Sequence, residues 1–370
     1  MRFPSKSSSS RPSSHRRLVP AALLATALVV AACSSGGSSN GTTTTGALDL
    51  STLPTPTEVT VIGDSTPLAT DAAASTTVVG APVFPLTGLP LTDPAAATRP
   101  AIVVKVGNYD AHPQRGAANA DIIYEEIINA NVSRFAMVFQ SKASKEVGPI
   151  RSGRRQDVDL LGSFNKPVFA WAGGNPTVTG EIRNSDLVDF SQSKCQGTCY
   201  RSGDDSPVEF TLMFNVEKIF KMSFPKAGIP PQQFQYLAAG EALAGSASAG
   251  VKLSMENYKI DWTWNAAKKE YDRVQNGRPD KGKAGDLLTT ENVLILEMVY
   301  KAGISHSPDA QSTGTGQAWV FTGGNMVHGT WTRGDRTKVF TLKDEAGNII
   351  KLTPGRTFIE LPRKGNTVPK

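Results

Sequence analysis

The sequence has few of the residues that build metal centres and nucleophilic active sites. Its 370 residues include three cysteines and four histidines. Past residue 32 the histidines are His112, His306 and His328, which are far apart and form no HExxH pattern, so no zinc ligand set is visible. The region predicted to fold also lacks a GxSxG elbow, a P-loop and a dinucleotide-binding fingerprint. We therefore expect no metal and no cofactor.

The net charge does not point to a nucleic-acid partner. The chain has 39 Lys and Arg residues against 33 Asp and Glu residues, a formal net charge of +6. Residues 1–32 carry five basic residues and no acidic one. The rest of the chain is close to neutral and has no global attraction for a polyanion. Hydrophobic residues make up 39% of the chain, which is enough for a core and excludes wholesale disorder.

The sequence has no apolar run long enough to span a membrane, and its longest run indicates export. Residues 18–32 are apolar and uncharged. Fifteen residues fall short of the roughly 20 that span a bilayer as a helix, so a signal-peptide core fits better than a permanent anchor. The small residues before Cys33 resemble a bacterial lipobox, whose thiol carries the lipid. The alternatives are a plain secretory signal or an N-terminal anchor helix.

We therefore predict a lipoprotein signal peptide over residues 1–32 and acylation, palmitate included, at Cys33. The chain would be lipid-anchored at the extracytoplasmic face of a bacterial cell membrane. The Sec and twin-arginine export routes both stay open.

The two remaining cysteines, Cys195 and Cys199, favour a disulfide. Outside the cytosol such a pair is more often a disulfide than a metal site. Gly197 lies between them and permits the bend. A redox pair is the alternative, although it lacks the CxxC spacing.

Composition divides the chain after the signal peptide. Residues 33–81 are rich in Ser, Thr, Gly and Ala and read as a flexible tether. We predict an N-terminal domain over 82–236, a linker over 237–250, a C-terminal domain over 251–363 and a tail over 364–370. The fold class is α+β, with a mixed α/β domain followed by a mainly antiparallel β domain.

The two halves differ in pattern. In the first, apolar runs predict strands that alternate with a helix over Gly153–Phe164. In the second, short strands alternate with turn residues. The predicted strands are Ala101–Val106, Asp121–Ile128, Phe135–Phe139, Lys166–Trp171, Val293–Val299, Ala318–Phe321, Met326–Trp331, Val339–Leu342 and Ile349–Leu352.

Several long strings carry a family resemblance. They are PLTGLPL (85–91), RPAIVVKVGN, AHPQRGAANADIIYEE, SRFAMVF, GPIRSGRRQDVDLL and GTWTRGDRTKVFTLKDEAGNIIKLTPGRTFIELP. Together they resemble the YerB-like family of bacterial envelope lipoproteins over roughly residues 84–363. The resemblance implies an N-terminal α/β part and a C-terminal β-rich part, and it brings no reaction, substrate or cofactor. The chain departs from the family at His112, where an Arg is common.

The densest polar cluster begins the predicted helix. Arg151, Arg154 and Arg155 lie there, with Ser152 as a plausible N-cap. The helix N-terminus is partially positive, so added cations are unfavourable unless an anion binds among them. We predict a candidate anion site for a carboxylate, phosphate or sugar acid at these four residues. The alternative is that Asp157, Asp159, Glu125 or Glu126 supply the counter-charge within the fold.

The acidic pair Glu125-Glu126 lies inside an apolar strand. Neighbouring residues of a strand face opposite sides, so each carboxylate would lie among apolar side chains. Such a carboxylate is either paired or has a raised pKa, which would suit a general acid. A structural ion pair with Arg134 or Arg151 is the alternative. Asp157 completes the set of candidate acidic residues.

Two further patterns are weaker. The glycine-rich string WAGGNP (171–176) is more typical of a strand-end turn than of a phosphate-binding loop. The tryptophans of the second half could stack on sugars if exposed, but alternating aromatic residues are usually core. These are Trp262, Trp264, Trp319 and Trp331.

The sequence thus favours a non-catalytic envelope lipoprotein that binds a cell-wall component, such as a glycan, or an envelope protein. The membrane would be contacted through the lipid, with no nucleic acid involved. The alternative is a glycan-acting hydrolase or transferase that uses Glu125 or Glu126 with Arg151, Arg154 and Arg155. A purely structural partner of a membrane complex is a third possibility.

Overall fold

Strands form most of the regular structure. A computed structural model describes residues 82–370, which belong to one compact unit. The predicted signal peptide, the lipid site Cys33 and the tether lie outside the described residues. The strands of the first half are β1 (Ile102–Gly107), β2 (Ile122–Ile128), β3 (Val132–Phe139), β4 (Val168–Ala170), β5 (Val188–Asp189), β6 (Cys199–Arg201) and β7 (Leu212–Phe214).

The second half is almost entirely β structure. Its strands are β8 (Ser246–Ala247), β9 (Gly250–Met255), β10 (Tyr258–Asn265), β11 (Glu270–Gln275), β12 (Arg278–Pro279), β13 (Thr289–Thr290), β14 (Asn292–Leu296), β15 (Tyr300–Ala302), β16 (Pro308–Ala310), β17 (Gly314–Thr322), β18 (Asn325–Arg333), β19 (Thr341–Asp344), β20 (Thr357–Leu361) and β21 (Thr367–Pro369).

Helices are few and short. They are α1 (Arg155–Leu160), α2 (Pro176–Asn184) and α3 (Val216–Ile219). Single 3₁₀ turns occur at Pro94–Ala97, Ala117–Asn119, Asn129–Asn131, Leu161–Phe164, Gln192–Lys194, Val208–Phe210 and Ile304–His306. The α+β prediction is therefore correct in part, because strands dominate more than that class suggests.

One large sheet runs through both halves of the chain. Its order is β19-β18-β17-β14-β20-β2-β3-β1-β4-β5, with β8 added beside β18. The junction is the parallel pair β2–β20, which places Glu125 opposite Glu360. Both halves thus share one continuous hydrogen-bonded sheet.

A second, smaller sheet covers one face of the large one. Its order is β12-β11-β10-β9-β21, with β13 beside β11. We call the covered face of the large sheet the inner face. Alternate residues such as Val104 and Phe135 pack there against Leu253 and Trp262 of the small sheet. The period-two alternation of β10 buries Trp262, as expected for a half-buried strand.

The opposite, outer face packs against α1 and its 3₁₀ continuation. Leu160, Leu161 and Phe164 lie against the buried residues Val103 and Tyr124 of the sheet. The outer and inner faces therefore each have their own apolar core, and every side chain of β1 and β2 is buried.

Some predicted elements differ from the observed ones. The helix predicted over 153–164 begins only at Arg155, because Arg154 has extended backbone and occupies the N-cap position. Ser152 is therefore not the N-cap. No strand forms over residues 349–352, where only isolated bridges occur at Ile349 and Leu352. The predicted linker residues 237–250 contain the short strand β8.

The remaining predictions for this region concern the cysteines and tryptophans. Cys195 and Cys199 form a disulfide, as predicted. Trp262 and Trp331 are buried, while Trp264 and Trp319 are half-buried.

Close strand packing at Gly329 gives a test of this fold. A Cβ atom there would lie 1.9 Å from the carbonyl oxygen of Lys343 on the neighbouring strand. Since that oxygen belongs to the backbone, Gly329→Ala should lower the free energy of unfolding by about 1–3 kcal/mol. Chemical denaturation measures the change. Gly334→Ala, which meets no atom within 4 Å, is the matched control and should be nearly neutral. Equal stability of both variants would contradict the β18–β19 pairing.

Candidate anion-binding site

Glu125 points to the inner face and is fully buried. Its carboxylate contacts the guanidinium of Arg273 from β11 and accepts a hydrogen bond from Asn108 Nδ2 at 3.0 Å. Ser133 Oγ donates to the same carboxylate at 2.5 Å. Arg273 also lies 3.4 Å from Glu360 Oε1 and contacts Asp280. One buried guanidinium from the small sheet thus joins two carboxylates of the large sheet and the carboxylate of Asp280, which follows β12.

The charges of this network are strongly coupled. Burial raises the pKa of Glu360 well above its usual range, and repulsion from Glu125 raises it further. Trp262 Nε1 donates to Glu360 Oε1 at 2.9 Å. Burial opposes the charge of Arg273, but the attraction of Glu125, Glu360 and Asp280 outweighs it and raises the Arg273 pKa. Arg273 therefore remains charged as the counter-ion of this network.

Glu126 points to the outer face and is equally buried. Its carboxylate contacts Lys105 of β1, whose Nζ lies 2.8 Å from Asp157 Oδ1. The prediction that Arg134 or Arg151 would pair with these glutamates is wrong. Arg273 pairs with Glu125, and Lys105 pairs with Glu126. Since neither glutamate reaches a cleft, the geometry offers no acid for the enzyme alternative that relied on them.

The predicted arginine cluster is divided by the structure. Arg155 pairs with Asp159 at 2.9 Å and with Glu181 at 3.3 Å, so its counter-charge is supplied within the fold. Ser152 contributes its backbone carbonyl, which accepts from Arg134 Nη1 at 2.8 Å. Arg151 and Arg154 stay together, whereas Arg155 leaves the predicted site.

Arg134 of β3 takes the place of Arg155. It lies on the outer face opposite Gly107, over which the stem of Arg151 packs. Arg134, Arg151 and Arg154 hydrogen-bond to neutral oxygens, for example the Glu209 carbonyl at 2.7 Å from Arg151 and Asn129 Oδ1 at 2.9 Å from Arg154. Within residues 82–370, no carboxylate forms an ion pair with any of the three guanidiniums. We call these three residues the arginine cluster.

The cluster is electrostatically unfavourable without an anion. Arg134 is nearly buried, and its Nε has no hydrogen-bond partner among the described residues. Burial and repulsion from Arg154 and Arg151 lower the pKa of Arg134 to about 10. The phenol of Tyr109 lies beside the cluster. Burial alone would raise the Tyr109 pKa, but Arg151 and Arg134 outweigh burial and lower it. Neighbouring guanidiniums thus contribute to lowering both pKa values, and such an accumulation of positive charge favours a bound anion.

A polar cavity of about 300 Å³ adjoins Arg154. Gly174 and Asn175, at the end of the segment that precedes α2, form one wall, while Ser305 and Ser307 form another. Asn175 Nδ2 donates to Ser305 Oγ at 2.8 Å, and Ser307 Oγ is buried without a hydrogen-bond partner in the described chain. No acidic residue lines this cavity. Its amide and hydroxyl groups suit the neutral part of a ligand.

The arrangement can bind an anion through guanidinium forks, which match the oxygens of carboxylate and phosphate groups. Residues 82–370 contain no group of three or more acidic, His or Cys side chains placed to hold a metal ion. Sequence reasoning missed Arg134 and Tyr109 as site residues. A single arginine at the start of the apolar strand over 132–139 was the available signal.

The inner-face network gives a prediction about stability. Arg273→Met removes the cation shared by Glu125 and Glu360 and leaves two buried carboxylates without it. The free energy of unfolding should fall by about 3–5 kcal/mol at neutral pH. Urea denaturation measures this change, with Arg278→Met, at an exposed position of β12, as the control. Equal stability of the two variants would show that Arg273 does not hold the sheets together.

Comparison with known proteins agrees with the shared architecture. Residues 86–229 match the N-terminal domain, and residues 250–359 the C-terminal domain, of a family described as proteins of unknown function, DUF3048. A YerB protein of Bacillus subtilis (strain 168), whose name marks it as a candidate lipoprotein, is 24% identical over 288 residues, covering 75% of this chain and 85% of the relative.

A crystal structure of YerB from Bacillus subtilis shares the fold with a TM-score of 0.68. It is 21% identical and covers 78% of this chain and 99% of that one. Because the two family profiles together match more than half of the sequence, the chain belongs to the DUF3048 family, as the resemblance to YerB-like proteins indicated.

Proposed function

We propose that this protein is a lipid-anchored envelope protein that binds, without catalysis, a ligand bearing a phosphate or carboxylate group. The observation that carries the proposal is the arginine cluster. Three guanidiniums lie close enough to repel one another. Their hydrogen bonds go to neutral oxygens, and none has a carboxylate partner among the described residues. A bound anion would relieve their mutual repulsion and satisfy the free Nε of Arg134.

The surroundings support binding rather than turnover. Asp157 and Asp159, the nearest acidic residues in sequence, are engaged by Lys105 and Arg155. The adjoining cavity adds neutral donors and acceptors, which would orient a sugar or amide portion of the ligand. An anionic cell-wall glycan fits both features. An anionic segment of an envelope protein is the second source of the same chemistry.

The envelope location rests on the N-terminal segment and on the family. Residues 18–33 read as a signal-peptide core that ends in a lipobox cysteine. The Bacillus subtilis relative bears a name that describes a candidate lipoprotein. The helices of residues 82–370 include no candidate for a membrane-spanning segment. A thioether-linked lipid on Cys33 would then hold the folded part at the extracytoplasmic face of the cell membrane.

Calorimetric titration with inorganic phosphate tests the binding site. Arg151→Gln should weaken phosphate binding by roughly tenfold or more, because a charged hydrogen bond contributes about 1.5–3 kcal/mol. Arg155→Gln is the matched control, since Arg155 is already paired, and its affinity should equal that of the wild type. Acetate in a parallel titration separates a phosphate preference from a carboxylate preference. No binding of either anion at low salt, or equal losses in both variants, would refute the proposal.

Retention on purified cell wall tests the ligand source. Wall material that keeps its anionic polymers should retain the protein, and material stripped of them should not. Retention should fall as salt increases, because screening weakens charge pairing. Equal retention on both materials would contradict an anionic wall ligand, even if the phosphate titration succeeds.

The anchor gives a separate prediction. Cys33→Ala should abolish incorporation of radiolabelled palmitate and release the protein from the membrane fraction, since the thiol that carries the lipid is gone. Fractionation and autoradiography measure both effects, with Cys195→Ser as a control that should retain label and location. A Cys33→Ala protein that is still labelled or still membrane-bound would contradict the anchor.

A further inference from the structure

A lysine lies between two carboxylates in the outer-face core. Lys105 of β1, Glu126 of β2 and Asp157 of α1 are all fully buried. Lys105 Nζ lies 2.8 Å from Asp157 Oδ1 and also contacts the Glu126 carboxylate. Ala136, which lies between Lys105 and Tyr124 in the sheet, is small enough to let side chains from β1 and β2 meet above β3. The anion site does not require any covalent change in these residues.

The surroundings of this triad are apolar apart from the guanidiniums of Arg134 and Arg154, which also lower the Lys105 pKa. Val103, Tyr124 and Ala136 on the same sheet face are buried, and Leu160 of α1 lies over them. Charged groups are costly in such a place, and proton transfer from ammonium to carboxylate removes the charge. Burial lowers the pKa of Lys105 to about 8, against the attraction of Asp157. A fraction of the amine is therefore neutral and nucleophilic near neutral pH.

The two carboxyl groups are held differently. Asp157 Oδ2 accepts a hydrogen bond from the backbone N–H of Arg154 at 2.6 Å, while Oδ1 faces the amine. This N–H fixes the carboxyl group and polarises its carbon. Glu126 contacts Lys105 and has no hydrogen-bond partner elsewhere in residues 82–370. Asp157 is thus placed as the acyl donor, the Lys105 amine as the acyl acceptor and Glu126 as the proton carrier.

We propose that Lys105 and Asp157 form an intramolecular isopeptide bond. The Lys105 ammonium first transfers a proton to Asp157 Oδ1, which leaves a neutral amine and a carboxylic acid. Nζ then attacks Cγ of Asp157, and a C–N bond forms. Glu126 accepts a proton from the nitrogen and delivers one to Oδ1. The C–Oδ1 bond breaks, one water leaves, and Glu126 returns to its starting state. The product is a neutral amide, and no oxidant, reductant or cofactor takes part.

The surrounding structure accommodates this product. Oδ2 becomes the amide oxygen and can still accept from the Arg154 N–H, so the start of α1 keeps its cap. The bond closes a loop between positions 52 residues apart. It ties β1 to the helix start beside the arginine cluster, where Arg154 is positioned. Preformed reactant geometry of this kind accelerates condensation, because the amine and carboxyl are already in contact.

Mass spectrometry of the full-length protein tests the bond. The purified wild type is fully denatured and digested with trypsin. We expect the peptide containing Lys105, uncut after that residue, to be joined to the peptide containing Asp157, with a mass lower by one water than their sum. Lys105→Arg and Glu126→Gln should each yield the two separate peptides. Asp159→Asn, which alters the neighbouring carboxylate of α1, is the control and should keep the joined peptide.

The wild-type result alone can overturn the proposal. Separate peptides, with cleavage after Lys105, would show that the triad is an ordinary ion network. A bond mapped to Glu126 instead would overturn the assignment of Asp157 as the acyl donor. Both outcomes are measured on the denatured wild-type protein. Misfolding of a variant therefore cannot obscure either of them.

Discussion

The parallel pairing of β2 with β20 forces two glutamates together inside the protein. Glu125 lies directly opposite Glu360, and both side chains are buried on the inner face. Two carboxylates so close cannot both be charged without a cation. Arg273 reaches them from the second sheet and supplies it. The junction between the two halves of the chain therefore depends on a residue of the small sheet, which explains why both sheets form a single unit.

The outer face also buries two carboxylates beside one cation, but here the cation is a lysine. Lys105 occupies the two carboxylates nearest the start of α1, Glu126 and Asp157. With those carboxylates occupied, Arg134, Arg151 and Arg154 are left with neutral hydrogen-bond partners in the described chain. The two buried carboxylates of the outer face thus pair with Lys105, and the arginine cluster stays available for an external anion. Burial of the acids and the lack of carboxylate partners for the arginine cluster in the described chain are two consequences of one arrangement.

Local sequence patterns predicted what local contacts decide. The apolar runs of β1, β2 and β3, the alternation in β10 and the Cys195–Cys199 disulfide follow from neighbouring residues. Partners distant in sequence were beyond reach: Arg273 is 148 residues from Glu125, and Arg154 meets Arg134 only when β3 and α1 pack together. The same limit explains Arg155, whose partner Glu181 lies on α2. The sequence could show that the buried acids need cations, but only the fold identifies which ones.

The central claim is that three arginines share one anion. Arginine-selective ¹⁵N labelling allows the Nε–H signal of each guanidinium to be followed during a phosphate titration. The account predicts that the signals of Arg134, Arg151 and Arg154 shift together along one saturable curve while that of Arg155 stays in place. Signals that do not move, or that move equally for Arg155 and the cluster, would contradict it.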